Sequence, residues 1–384
     1  MKYYIIAGEP SGDLHGSRLI RELRQLDPAA QIRCWGGDLM AEAGGELVRH
    51  YRDLAFMGFA EVIRHLGKIL AHFRFAKRDI RKFHPDAVIF IDYPGFNLRM
   101  AQWAHQKGFR TVYYISPQVW AWKQKRVETI RKYVDRMLVI LPFEAAFYRQ
   151  YGYEVEYVGH PLVQIVREAR PLARPIFDTS RPVIALLPGS RLQEVKRLLP
   201  EMLKVTRHFP QSQFVVAQAP SIPDLSPWYH PNRYPNVMLA KGVTYDLLAQ
   251  ASAALVTSGT ATLETALFGV PQVVCYKSTW ISYWLARHFI RVPYISLVNL
   301  IMGKKVVEEC IQQQVNEQNL TRLLDKLLHD ETCITRIKAD YAELWKKLDT
   351  GNAARKAAEA IFQFIKNASP AGLTAQSRPP ETAG

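Results

Sequence analysis

Four cysteines are all that 384 residues hold, and Cys34, Cys275, Cys310 and Cys333 stand far apart with no C-x-x-C pair among them. That spacing supports neither a zinc site nor a disulfide framework and suits a reduced, cytoplasmic chain. Long apolar runs are missing too. No uncharged stretch approaches the roughly 18 residues of a membrane span. The nearest candidate, 276–302, is interrupted by Lys277, Arg287, His288 and Arg291. The opening run Tyr3-Tyr4-Ile5-Ile6 is too short for a signal peptide, and Glu9 and Asp13 follow at once. A soluble or peripheral protein is expected. Acid is scarce as well: 35 Asp and Glu face 50 Lys and Arg, a formal net charge of +15. This excess attracts nucleic acid, phosphorylated ligands or an anionic lipid surface without choosing among them. The chain shows no helix-turn-helix, zinc or RNA-platform signature, so no nucleic-acid partner is expected.

Ordinary globular material remains, with 48% hydrophobic and 22% charged residues, and the length favours two domains over one. Short apolar runs alternate with helix-period stretches. "YYIIAG", "AVIFIDYPG", "TVYYISP", "RMLVILPF" and "VEYVGHPL" form one series. "VIALLPGSR", "QFVVAQAP", "NVMLAKG", "AALVTSGTAT" and "PQVVCYK" form a second, after a Pro- and Arg-rich linker over 165–182. Continuous apolar strands separated by helices predict parallel sheets covered on both faces. The expected fold class is α/β, two doubly wound Rossmann-like domains facing across a cleft. The first spans 1–165 and the second 183–345. A last helical stretch over 336–366, its end (346–366) free to pack back, precedes a Ser/Pro/Ala/Gly-rich tail over 367–384 expected to be disordered.

Ligands of open parallel sheets bind beyond the C-terminal strand ends, so the residues that follow strands carry the candidate chemistry. "LLPGSRLQE" offers Gly189 for close backbone approach and Arg191 as a fork for phosphate, or else is a plain turn with a solvated Arg. In "VTSGTATLETAL", Ser258, Gly259 and Thr260 open a helix whose free N–H groups suit a nucleotide diphosphate, with Glu264 one turn on for ribose hydroxyls. Ser258 or Thr260 serving only as an N-cap is compatible with that. The second half lacks G-x-x-x-x-G-K-[ST] and G-x-G-x-x-G, against P-loop phosphoryl transfer and hydride transfer, and suits a nucleotide-sugar site. Asp92 directly follows a buried strand, with Asn97 better placed to cap the helix expected near Leu98; this leaves Asp92 as a general-base candidate. Trp120, Trp122, Lys123, Lys125 and Arg126 suit sugar stacking beside a phosphate, or a packed domain edge. His160 in "VGHPL" reads first as a structural hydrogen-bond partner.

Over 57–83, Val62, Leu66, Ile69, Phe73, Ala76, Ile80 and Phe83 recur at spacings of three and four, one face of a helix. Arg64, Lys68, Arg74, Lys77, Arg78, Arg81 and Lys82 surround that stripe. A basic amphipathic helix is either core-packed with a solvated face or a membrane-surface element, and Phe56, Met57 and Phe59 ahead of it favour docking through Met57, Phe59, Val62, Leu66 and Ile69.

"AGEPSGDLHG", "MGFAEV", "IDYPGFNLR", "YYISPQVWAWKQKRV", "ILPFE", "YVGHPL", "LLPGSRLQE" and "SGTATLETAL", in this order from about residue 3 to Gln312, resemble the lipid-A-disaccharide synthases. The resemblance implies an inverting GT-B glycosyltransferase without metal or cofactor. Its donor would be UDP-2,3-diacylglucosamine and its acceptor 2,3-diacylglucosamine 1-phosphate, giving a β-1,6-linked disaccharide and UDP. It implies Asp92 as the base and Glu9, Ser11, Asp13 and Trp122 on the acceptor side. Arg191, Ser258, Gly259, Thr260 and Glu264 would hold UDP, with Asn299 and Gln312 near the diphosphate. Val298 stands where the family usually has Pro, and Lys304 where it has Arg. The implied setting is the cytoplasmic face of the inner membrane of a Gram-negative bacterium, docked on an anionic surface. The oligomeric state stays open, a homodimer included. Another UDP-sugar GT-B protein, a soluble transferase or an epimerase, is the alternative.

Overall fold

The computed structural model describes residues 1–54, 66–122, 124–170, 173–279 and 292–367. Its first sheet has seven parallel strands: β1 (Lys2–Ala7), β2 (Gln31–Gly36), β3 (Glu46–His50), β4 (Ala87–Ile91), β5 (Thr111–Tyr114), β6 (Arg136–Val139) and β7 (Glu156–Tyr157). They lie in the order β3-β2-β1-β4-β5-β6-β7. The second sheet has six: β8 (Val183–Leu187), β9 (Gln213–Gln218), β10 (Val237–Lys241), β11 (Ala253–Thr257), β12 (Gln272–Tyr276) and β13 (Glu308–Ile311). Their order is β10-β9-β8-β11-β12-β13. All the strand pairs are parallel.

The strand order reverses between β1 and β4 in one sheet and between β8 and β11 in the other. Doubly wound sheets open their ligand crevice at such switch points, because the connections leave in opposite directions there. Ala7 pairs with Ile91 and Leu187 with Val256, so the loops after residues 7 and 91 emerge together, as do those after 187 and 256.

The central strands are apolar throughout because helices cover both faces. Alternation along each strand divides its side chains. Tyr3, Ile5 and Ala7 face the Pro10–Leu26 helix, whereas Tyr4, Ile6 and Phe90 join a cluster with Ala76 and Ile80 of the Leu66–Phe83 helix. Three strands were not legible as apolar runs: β2, β3 and β13. β3 and β13 are edge strands, and "ELVRH" and "EECI" carry charge where one flank meets solvent.

Other boundaries also move. The helix Pro161–Ala169 buries Leu162, Val163, Ile165 and Val166 in the second domain's core, so the chain crosses near residues 158–160 rather than after 165. His160 caps that helix, its Nδ1 accepting from the Leu162 N–H at 3.2 Å, as a structural histidine does. The stretch expected as one helix over 336–366 is two, Glu331–Leu348 and Ala353–Asn367, broken where Gly351 takes φ 95°. The second packs Ala357, Ala358, Ile361 and Ile365 into the first domain's core beside the Pro10–Leu26 helix. Thr350 Oγ1 donates to the Val158 carbonyl at 3.3 Å, so the two crossings run side by side.

Candidate active site

A cavity of about 590 Å³ lies at the second switch point, and residues from both domains line it. Gly189, Ser190 and Arg191 follow β8, and Ser258, Gly259, Thr260 and Glu264 follow β11; Gln118 and Trp120 reach it from beyond β5. A hollow of similar size, lined by His208, Glu317 and Arg322 among others, has no strand end in its wall. The strand-end cavity is therefore the candidate site.

Gly259 is itself the N-cap of the helix Thr260–Leu267, with φ 149° and ψ −159°, a conformation open only to glycine. Among the described residues, no side chain caps the helix. Ser258 Oγ instead donates to the Ile295 carbonyl at 2.9 Å. Thr262 N–H donates to the Gly259 carbonyl at 3.1 Å, and Thr260 and Ala261 line the cavity at the positive end of the helix dipole. Glu264 accepts from the Tyr245 hydroxyl at 2.8 Å, and burial raises its pKa. Arg191 leads the helix Leu192–Val205 with its side chain 70% exposed, and Glu194 accepts from its Nη1 at 3.2 Å. Gly189, at φ 120°, is confined to glycine twice over, since a methyl there would strike the Glu194 carboxylate.

On the facing sheet, Glu9 is the N-cap of Pro10–Leu26, but its side chain makes no capping bond and is exposed, as is Ser11. Asp92 and Tyr93 both adopt left-handed backbone, φ 42° and 49°, at a cost of about 1–3 kcal/mol each for non-glycine residues. Burial, and then the charge of Glu9, push the Asp92 carboxyl up to about 6, against a lowering hydrogen bond from the Tyr93 N–H. Gly8 makes this approach feasible, because a side chain there would collide with the Tyr93 ring. Trp122 is 45% exposed, with the Arg126 guanidinium 6.0 Å from its ring centre.

Several expected contacts are engaged elsewhere. Asp13 is buried, and its carboxylate accepts from the N–H groups of Gly37 (2.7 Å), Met40 (3.0 Å) and Leu39 (3.3 Å), bracing the turn after β2. Asn299 is fully buried. Its amide donates to the Val307 carbonyl and Glu309 and accepts from the N–H groups of Val306 and Val307, which leaves nothing for a diphosphate. Gln312 accepts from the Ser278 N–H at 2.9 Å. Lys304 pairs with Asp340 at 2.7 Å, and Val298 is buried. Asn97 is no N-cap: the helix Pro94–Gln106 begins three residues earlier, and Asn97 donates to the carbonyls of Ile6, Ile91 and Asp92. Gln118, Thr244 and Tyr245 were not singled out in the sequence. Thr244 and Tyr245 follow β10, so the strand-end rule was the signal that could have found them.

Of the docking residues, Met57, Phe59 and Val62 lie outside the described residues, as does the Leu66 side chain, and Ile69 is half-buried. The rest of the stripe packs inward: Ala76 and Ile80 are buried, and Phe73 stacks on Phe96 at 4.3 Å. No described helix is long and apolar enough to cross a membrane.

Two doubly wound domains that share a strand-end cavity define the GT-B architecture of glycosyltransferases. The calicheamicin glycosyltransferase has the same fold, with a TM-score of 0.62 at 16% identity, covering 96% of this chain and 99% of that one. More specifically, the chain belongs to the lipid-A-disaccharide synthetase family, whose model matches residues 3–364. It is 38% identical over 372 residues to the lipid-A-disaccharide synthase of Trichlorobacter lovleyi, covering 94% of this chain and 97% of the relative. With that of Syntrophus aciditrophicus it shares 41% over 374 residues, at the same coverage. It is thus a glycosyltransferase of lipid A biosynthesis.

Proposed function

We propose that the enzyme joins UDP-2,3-diacylglucosamine to 2,3-diacylglucosamine 1-phosphate with inversion, forming the β-1,6-linked lipid A disaccharide 1-phosphate and releasing UDP. The observation that carries this reading is the uncapped start of the Thr260–Leu267 helix, opening with Arg191 into a cavity shared by both domains. The diphosphate sits there, between backbone N–H groups and a guanidinium, and Glu264 meets the ribose hydroxyls. Glu9, Ser11 and Trp122 orient the acceptor sugar. Asp92 takes the proton of the acceptor 6-hydroxyl as that oxygen bonds to the donor's anomeric carbon. The bond to the diphosphate oxygen breaks on the opposite face, and its electron pair leaves with UDP, whose charge Arg191 and the helix start stabilise.

The base works only as a carboxylate, and its pKa lies at about 6. UDP release from donor plus acceptor is expected to rise about tenfold per pH unit below 6 and to level off above 7. A rate flat from pH 4.5 to 8, measured with a binding-saturated enzyme, would contradict the assignment.

Both substrates are acylated, and drawing a ~14-carbon chain into water costs about 10 kcal/mol. We place the reaction at the cytoplasmic face of the inner membrane of a Gram-negative bacterium, docked through Met57, Phe59, Val62, Leu66 and Ile69. Leu70, 55% exposed, and the neighbouring cations Arg74, Lys77 and Arg78 support this. Near an anionic leaflet each cation contributes about 1 kcal/mol. Replacing Met57 and Phe59 by Ser is expected to shift the protein from pellet to supernatant when sedimented with anionic vesicles; unchanged pelleting would return the segment to a packing role.

A further inference from the structure

Asp92 holds its carboxylate through a backbone that no ordinary residue prefers, two left-handed residues in succession. Such a conformation persists only where its surroundings over-determine it. Two side chains grip the Asp92 carbonyl: the Tyr113 hydroxyl donates to it at 2.5 Å, and the Asn97 amide at 2.8 Å. Tyr113 is fully buried on β5. Burial raises its pKa well above 10, so its hydroxyl remains a donor. The Asn97 amide also reaches the carbonyls of Ile6 and Ile91 at 3.3 and 3.1 Å, tying the ends of β1 and β4 to the same point. The Tyr93 ring packs against Gly8 so closely that a methyl there would collide with it.

Resting on the reading of Asp92 as the base, we propose that Tyr113 and Asn97 are positioning residues that clamp the Asp92 peptide and thereby aim its carboxylate into the acidic crevice beside Glu9. Releasing the clamp lets residues 92–93 relax toward extended backbone and turns the carboxylate out of the crevice. The base would then lose both its aim and the environment that raises its pKa.

Tyr113→Phe removes one hydroxyl and nothing else from the core. Its kcat is expected to fall about 10- to 100-fold, as for a catalytic group displaced by about 1 Å, while the Kd for UDP stays unchanged. The acid limb of the rate profile should move from about 6 toward 4, the ordinary aspartate range. Gly8→Ala, whose methyl collides with the Tyr93 ring, should move the limb the same way. A merely structural hydroxyl would lower the melting temperature and leave the limb in place, and that result in both variants overturns the clamp. An inactive Asp92→Asn beside a fully active Tyr113→Phe overturns the clamp alone. A fully active Asp92→Asn removes the base and the clamp with it.

Discussion

Asp92→Asn is expected to lower kcat by about 10²- to 10⁴-fold, the range that general-base catalysis supplies, with almost no change in UDP affinity. The carboxyl belongs to the first domain, whereas the end of the cavity proposed for the diphosphate is built from the loops after β8 and β11. Chemistry and nucleotide binding should therefore separate in this variant. Stability should move the opposite way from activity. The folded-state pKa of about 6 lies above the usual 3.8, because burial and Glu9 disfavour the charged form. Such a group contributes most below pH 4, where it is neutral in both states, and its contribution is lost as pH rises through 6. At pH 8 the ionised carboxylate then costs up to about 3 kcal/mol, at 1.36 kcal/mol per pKa unit. Asparagine has the same shape without the charge. The variant should unfold at a higher urea concentration than the parent at pH 8 and at a similar one near pH 4. Equal midpoints at pH 8 would mean that the crevice does not strain the carboxylate.

Arg191→Ala carries the second large effect, this time on binding. The guanidinium is exposed and, among the described residues, pairs with Glu194 across one helical turn. Exposed pairs of this kind contribute about 0–1 kcal/mol, so the fold should hardly notice the loss. A charge-assisted hydrogen bond to a diphosphate contributes about 1.5–3 kcal/mol, equivalent to a 10- to 150-fold rise in the Kd for UDP. Arg191→Lys keeps the charge but not the planar fork and should fall between. Calorimetric titration of UDP into the three proteins orders them, and an unaltered Kd in Arg191→Ala would leave the uncapped helix start as the diphosphate's whole support. With the anion held less well at departure, kcat should fall as well as affinity.

The parts of the fold that could be read in advance share a physical cause. Strands buried on both faces become continuous apolar runs, and β1, β4, β5, β8 and β11 were visible for that reason. β3 and β13 were hidden because an edge strand must carry polar residues toward solvent. The loops at both switch points were legible because a strand end followed by Gly and a helix has few structural alternatives. Individual roles within them were less so. Asp13 and Glu9 stand four residues apart, one in the first turn of the Pro10–Leu26 helix and the other its N-cap, yet Asp13 turns in to brace the β2 turn while Glu9 stays exposed. The family resemblance implied Asn299 and Gln312 near the diphosphate, but three-dimensional neighbours take up their amides. Asn97 reads as a cap when the helix is expected to start near Leu98. Pro94 is instead the first helical residue, where its missing N–H is harmless. None of these distinctions is local, since each depends on which backbone group lies across the sheet.

The acidic loop after β1 gains a definite reading from this. Gly8 yields space to Tyr93, Asp13 holds a neighbouring turn, and the charge of Glu9 raises the pKa of Asp92, while in the proposed mechanism Glu9 also receives sugar hydroxyls. In the proposed mechanism the anion binds in the opposite domain.

The central claim, transfer of a diacylglucosaminyl group between two lipid-linked sugars, is tested most directly by product mass. The enzyme is incubated with UDP-2,3-diacylglucosamine and 2,3-diacylglucosamine 1-phosphate in mixed micelles at pH 8, with Asp92→Asn in parallel. The expected result is a tetra-acylated disaccharide 1-phosphate together with one UDP per disaccharide, and almost none from the variant. UDP or free sugar without disaccharide, or equal product from both proteins, would contradict it.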